Sequence, residues 1–170
     1  MLDPTIRNVR FKKVLIDGGS ALNLLFTRAL TELGLTKDDL VPIDSPFWGI
    51  VPGRASQPLG QITLPVWFGT ADHFRTKYMN FFMADFDTTY HAILGQQALT
   101  KFMVMPHYVY LVLKISMEQG ILTLLANVSA AYDCEREGLT IAKEIDLSAR
   151  MQACVVDSNN VSAKEQEIPT

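Results

Sequence analysis

Cysteine is nearly absent: the 170 residues hold two, Cys134 and Cys154, both late in the chain. That excludes a disulfide framework, predicts free thiols and favours a reduced intracellular setting. An excess of charge of one sign is also lacking. The net charge is -3 and charged residues are spread along the chain, so neither a nucleic-acid surface nor a basic anchor for an anionic membrane is expected. No apolar run approaches the roughly 20 residues of a membrane helix. The opening Met1-Leu2-Asp3-Pro4 lacks the basic-then-apolar order of a secretory signal. Histidines 73, 91 and 107 share no ligand spacing, which argues against a zinc site. There is no internal repeat and no low-complexity block. What the chain does have is apolar substance. A hydrophobic share of 48% and a mean hydropathy of +0.14 are enough for one ordinary core plus a tail.

The pattern along the chain is mostly that of short strands. Residues 1–11 read as a lead-in or edge strand, and 12–17 as a buried strand. Leu24, Leu25, Phe26, Leu30 and Leu33 recur near helical spacing. They predict a short helix with Asn23 as N-cap and Gly34 as C-cap. Pro46 to Asp85 turns to β character. Phe47–Val51 and Leu59–Phe68 flank a Pro52-Gly53 turn, and Ile62, Leu64, Val66 and Phe68 alternate as a half-buried strand does. Thr76–Ala84 is a further strand, and Gln96–Phe102 a helix. Tyr108–Ile115 and Gly120–Leu125 form a final hairpin. After Asn127 apolar density falls; Leu139–Met151 could be helical, and Ser158–Thr170 has the composition of a disordered end. Many short strands with one or two short helices predict a small, mostly β, barrel-like domain.

The run Val14-Leu15-Ile16-Asp17-Gly18-Gly19-Ser20 carries the chemistry. An apolar strand ends in a carboxylate, two glycines turn the backbone beside it, and a hydroxyl follows. That is what holding one Asp rigidly at a strand end requires. Taken alone, an Asp-Gly-Gly turn is more often only a turn. A phosphate cradle is disfavoured, because the stretch lacks both the Lys of a phosphate loop and G-x-G-x-x-G spacing. Phe81, Phe82, Tyr108 and Tyr110 are assigned to core or interface, since no basic patch accompanies them. Asp85 and Asp87 are assigned to a solvated turn.

With its neighbours, the motif resembles the Asp-Thr/Ser-Gly-Ser/Ala signature of aspartic proteases. Ile93-Leu94-Gly95, about 75 positions on and followed by a predicted helix, resembles the family's second landmark, two apolar residues and a glycine. The candidate flap, Phe47 to Leu64, lies between them in the family's order. Asp17-Gly-Gly-Ser-Ala-Leu-Asn-Leu-Leu-Phe, Leu64-Pro-Val-Trp-Phe-Gly and Ala92-Ile-Leu-Gly are similar to the protease segment of plant gypsy-type LTR retrotransposon polyproteins. The resemblance covers residues 12–126. It divides the chain into a lead-in at 1–11, a retropepsin-like domain at 12–126 and a linker or tail at 127–170.

The resemblance implies a closed barrel of short antiparallel strands acting as an aspartic endopeptidase with no metal or organic cofactor. Two-lobed enzymes of this kind carry two motifs in a longer chain. With one motif here, the family's chemistry implies a homodimer in which Asp17 of each copy is catalytic. Gly18 and Gly19 would make the active-site turn, and the Ser20 hydroxyl would donate to Asp17. Gly49, Ile50, Val51, Pro52, Gly53 and Arg54 would form a flap over an extended peptide substrate. Ile93, Leu94 and Gly95 would pack beneath the turn. No nucleic-acid or membrane contact is implied, and the setting would be the cytoplasm, including virus-like particles. Three features depart from the pattern. Gly18 stands where a Thr or Ser hydroxyl usually locks the two turns together. Ala21-Leu22 replaces acidic residues that viral members carry, and Gln96-Gln97 replaces charged ones. The competing reading is an inactive fold of the same type, serving dimerisation or peptide binding.

Overall fold

The computed structural model describes residues 1–51, 54–86, 88–118, 120–141 and 143. The chain divides into two compact units, Met1–Cys134 and Glu135–Thr170. In the second, residues 135–141 are helical.

Strands dominate the first unit. In chain order they are β1 (Thr5–Ile6), β2 (Val9–Arg10), β3 (Val14–Ile16), β4 (Leu24–Phe26), β5 (Phe47–Val51), β6 (Arg54–Ser56), β7 (Gly60–Gly69) and β8 (Phe74–Ala84). They continue with β9 (Ala92–Leu94), β10 (Val104–His107), β11 (Val112–Met117) and β12 (Gly120–Leu125). Two short helices, α1 (Thr27–Glu32) and α2 (Gln96–Phe102), and a 3-10 turn at Lys37–Asp39 interrupt them. The expected mostly β architecture is therefore present.

Seven strands form one sheet in the order β2-β1-β7-β8-β4-β9-β3. The sheet curls into a half-barrel until its β3 edge reaches the other end of the chain's first strands. There Leu2 bridges Val14, with the Leu2 N–H on the Val14 carbonyl at 3.1 Å. Among the described residues two ladders are parallel, β3 with β9 and β4 with β8, and the others antiparallel. The long β7–β8 pair runs in register from Gly60↔Met83 to Gly69↔Phe74. The predicted alternation is visible in it: Leu64, Val66 and Phe68 are buried, with half-buried residues between them. They meet Met79, Phe81 and Met83 of β8, and Val14, Leu94, Phe102, Leu113 and Ile115 complete the same core.

The first helix differs from expectation. Leu24-Leu25-Phe26 is strand β4, and α1 begins only at Thr27. All three apolar residues are buried because β4 is interior, between β8 and β9. A strand covered on both faces loses the alternation that distinguishes it from a helix. Phe26 is the N-cap and no side chain caps it, so Asn23 does not serve as a cap. Gly34 does follow the helix end, in the left-handed region at φ +66°, and Arg7 Nη1 donates to the Leu33 carbonyl there at 3.0 Å.

The last hairpin differs too. Tyr108–Leu111 is a turn, and β10 precedes it, so three strands rather than two make this sheet. Residues 128–141 are helical, so helix begins before the expected Leu139, and residues 142 and 144–151 lie outside the described residues. Asn127 Oδ1 accepts the Ala130 N–H at 2.9 Å at its start. Cys134 is buried with a free thiol, and its carbonyl accepts the Thr89 hydroxyl. Cys154, Asp87 and most of the expected tail lie outside the described residues.

Candidate active site

Strand β3 delivers Asp17 to its position. Leu15 pairs with Ile93 and Ile16 with Leu94 in the parallel ladder, and the Asp17 N–H continues it onto the Leu94 carbonyl at 3.0 Å. The carboxylate is thus anchored through its own backbone, half-buried, at the point where the ladder ends. The chain then turns. Gly19 N–H donates to Asp17 Oδ1 at 2.8 Å, and Ser20 N–H to the Asp17 carbonyl at 3.2 Å. One carboxylate oxygen is thereby held by the turn it opens.

The expected Ser20–Asp17 hydrogen bond is not formed. Ser20 Oγ donates to the Leu22 carbonyl at 2.9 Å and accepts the Leu22 N–H at 3.3 Å. A serine two residues before an open backbone N–H closes this local ring readily. The orienting group for the carboxylate is the Gly19 amide instead.

The second landmark lies directly against the turn. Gln96 N–H donates to the Ser20 carbonyl at 2.8 Å, and Gln96 Nε2 to the Gly18 carbonyl at 2.9 Å. A Cβ on Gly95 would stand 2.3 Å from the Leu22 carbonyl oxygen and 2.5 Å from that of Ser20. Both are backbone atoms, so residue 95 must lack a side chain for the two segments to touch. Asn23 links them. Its side chain is fully buried; Oδ1 accepts the Gly95 N–H at 3.0 Å, and Nδ2 donates to the Asn80 carbonyl of β8 at 3.1 Å. Asn80 Nδ2 in turn donates to Gln61 Oε1.

Asn23 and Gln96 are the site residues that sequence reasoning missed. Asn23 had a signal: a lone amide inside the apolar run Ala21–Phe26 needs buried partners. Gln96 had none, since its partner is 78 positions away.

The segment expected to be a flap forms an antiparallel hairpin, β5 with β6, irregular between Trp48 and Val51. Gly49, Ile50, Val51 and Arg54 belong to it; Pro52 and Gly53 lie outside the described residues. Its base is fixed by Phe47, which is buried against Leu24, Phe26 and Ala84 with Leu22 and Ile93 beside them. The hairpin is thus rooted on β4, β8 and β9, and β9 is the strand that pairs with β3.

Of the assigned aromatics, Phe81 is core, whereas Tyr108 and Tyr110 are exposed. Asp85 is on the surface and accepts the Thr27 hydroxyl at 2.8 Å. A cleft of about 670 Å³ is lined by residues such as His73, Arg75, Lys77 and Ser116, and none of the motif residues borders it. Among the described residues no group of His, Cys, Asp and Glu is arranged to hold a metal ion. No helix of the described residues is long and apolar enough to cross a membrane.

No protein-family profile matches the chain, and no curated protein does. Among solved structures it is similar to the retroviral protease-like domain of Ddi1 from Leishmania major. That match has 19% identity and a TM-score of 0.48, covering 73% of this chain and 90% of the other. It is also similar to a retropepsin-like aspartic protease from Rickettsia conorii, at 18% identity and a TM-score of 0.46, covering 72% and 79%.

Proposed function

We propose that this domain is a retropepsin-like aspartic endopeptidase that acts as a homodimer on extended peptide segments. The supporting observation is the Asp17 turn, held on three sides: by the Leu94 carbonyl beneath the Asp17 amide, by the Gly19 amide on the carboxylate, and by Gln96 on the Gly18 and Ser20 carbonyls. Preorganisation of this kind is what a catalytic carboxylate requires.

The chemistry follows from the charge. Two carboxylates brought together share one proton, because two like charges so close cannot both ionise cheaply. The ionised one takes a proton from water, which attacks the scissile carbonyl. The protonated one donates to the carbonyl oxygen, and a proton later passes to the leaving amine. The pair titrates as a unit. One motif per chain makes the second copy the source of the second carboxylate. The β5–β6 hairpin would close on the substrate by strand pairing. On the sequence resemblance, the domain would belong to an LTR-retrotransposon polyprotein, with polyprotein junctions as the substrate class and the cytoplasm or particles as the setting.

The test is cleavage of a panel of extended peptides by the dimeric chain and by Asp17→Asn. Cleavage that disappears with Asp17→Asn supports the reading. Equal cleavage by both, or none by a demonstrated dimer, overturns it in favour of the inactive peptide-binding or dimerisation fold.

A further inference from the structure

Gly18 leaves a space, and a specific atom fills it. A Cβ at residue 18 would stand 2.7 Å from the Tyr108 hydroxyl oxygen and 3.8 Å from Leu99 Cδ1. The φ of Gly18 is not in the left-handed region, so its backbone does not demand glycine. What a side chain at 18 would meet is the end of the exposed Tyr108 side chain.

Tyr108 is placed there by its own turn. Tyr110 N–H donates to His107 Nδ1 at 3.2 Å, and the His107 and Tyr110 rings lie 4.5 Å apart. Ala126 N–H holds the Leu111 carbonyl at 2.8 Å. Together these brace both ends of the Tyr108–Leu111 turn. Tyr108 also borders a cavity of about 190 Å³ with Leu15, Ile16 and Leu111, beside the strand that ends at Asp17. Its hydroxyl has no hydrogen-bond partner among the described residues, so its proton is free to be donated.

We propose that Tyr108 is a positioning residue of the Asp17 turn. Its hydroxyl supplies, from the β10–β11 turn, the O–H that residue 18 cannot, and donates it to the facing turn of a second copy of this chain. This rests on the homodimer reading above. In the conformation seen, a side chain at 18 and the phenol at 108 would compete for one spot.

The experiment measures the dimer dissociation constant of the full chain by analytical ultracentrifugation, in an Asp17→Asn background so that catalysis plays no part. Tyr108→Phe should raise the constant about five- to hundredfold, the worth of the two neutral hydrogen bonds that a symmetric dimer loses. Gly18→Ser in the Tyr108→Phe background should restore it, whereas Gly18→Ser alone should not improve on the parent. In the catalytic chain Tyr108→Phe should lower kcat with KM unchanged. A constant unmoved by Tyr108→Phe, no rescue by Gly18→Ser, or a chain that stays monomeric at every concentration overturns the proposal. Loss of cleavage with Asp17→Asn is read separately, so failure of the protease reading is distinguishable from failure of the Tyr108 role.

Discussion

Asn23 Oδ1 accepts the Gly95 N–H at 3.0 Å across 72 residues of sequence, in a fully buried position. This bond ties the loop leaving the Asp17 turn to the loop leaving β9. Its partner bond, from Nδ2 to the Asn80 carbonyl, fixes the same amide to β8. Asn23→Leu would leave a buried N–H and a buried C=O without partners, each at a cost of about 1–3 kcal/mol. The expected loss is therefore about 2–6 kcal/mol, measured by urea unfolding. A loss below about 1 kcal/mol contradicts the network's role.

Gly95→Ala tests the close approach of the two segments. Its Cβ meets two backbone carbonyl oxygens that no rotamer change can move. Overpacking of this kind costs about 1–3 kcal/mol. Because the displaced carbonyls belong to Ser20 and Leu22, activity should fall more than stability does. Thermal unfolding and peptide cleavage on the same variant check this; an unchanged melting temperature contradicts it.

Gln96→Ala removes the side-chain bond to the Gly18 carbonyl while keeping the backbone bond to Ser20. The bond is exposed, so the stability change should be small, about 0.5 kcal/mol. The turn should nonetheless loosen, visible as faster amide hydrogen exchange at Gly18–Ser20. Exchange equal to the parent's would show that Gln96 does not hold the turn.

Stability should rise with pH through the range below neutrality. Burial lowers the pKa of His91 from its ordinary 6.5; Glu32 opposes this, and Arg28 and Lys13 add to it. Its side chain is 11% exposed, its Nδ1 is buried without a hydrogen-bond partner, and Phe11 lies against the ring. The folded state thus binds the proton less readily than the unfolded chain. Stability is fully present above 6.5 and is lost as pH falls from there toward the lowered folded value. Urea unfolding between pH 4.5 and 7.5 should show a slope that His91→Gln flattens. A slope unchanged by His91→Gln contradicts the assignment.

Asp39 acts in the same direction at lower pH. The Thr36 backbone N–H and hydroxyl both donate to its carboxylate, which holds its pKa below 3.8. The contribution is present above 3.8 and fades as pH falls through the folded value. Asp39→Asn should remove pH dependence in that acid range and leave the His91 range untouched.

Local facts were legible in the sequence. The apolar run ending in Asp17, the alternation in Ile62–Phe68 and the glycine after α1 each follow from a residue and its near neighbours. Their physics is that of one strand, one turn or one helix end. The Leu24–Phe26 strand was not legible, because its environment is set by β8 and β9 on either side. A fully buried strand and a short buried helix present the same apolar run.

The sequence by itself determined that a carboxylate ends a buried strand beside two glycines, and that the chain holds one such motif. Tertiary structure decided what surrounds it. Ser20 turned inward to Leu22, Asn23 became the bridge to Gly95, and Gln96 reached back to Gly18. The Tyr108 hydroxyl came to stand where a residue-18 side chain would be. Those partners come from distant parts of the chain, and only closure of the curled sheet brings them within hydrogen-bond range.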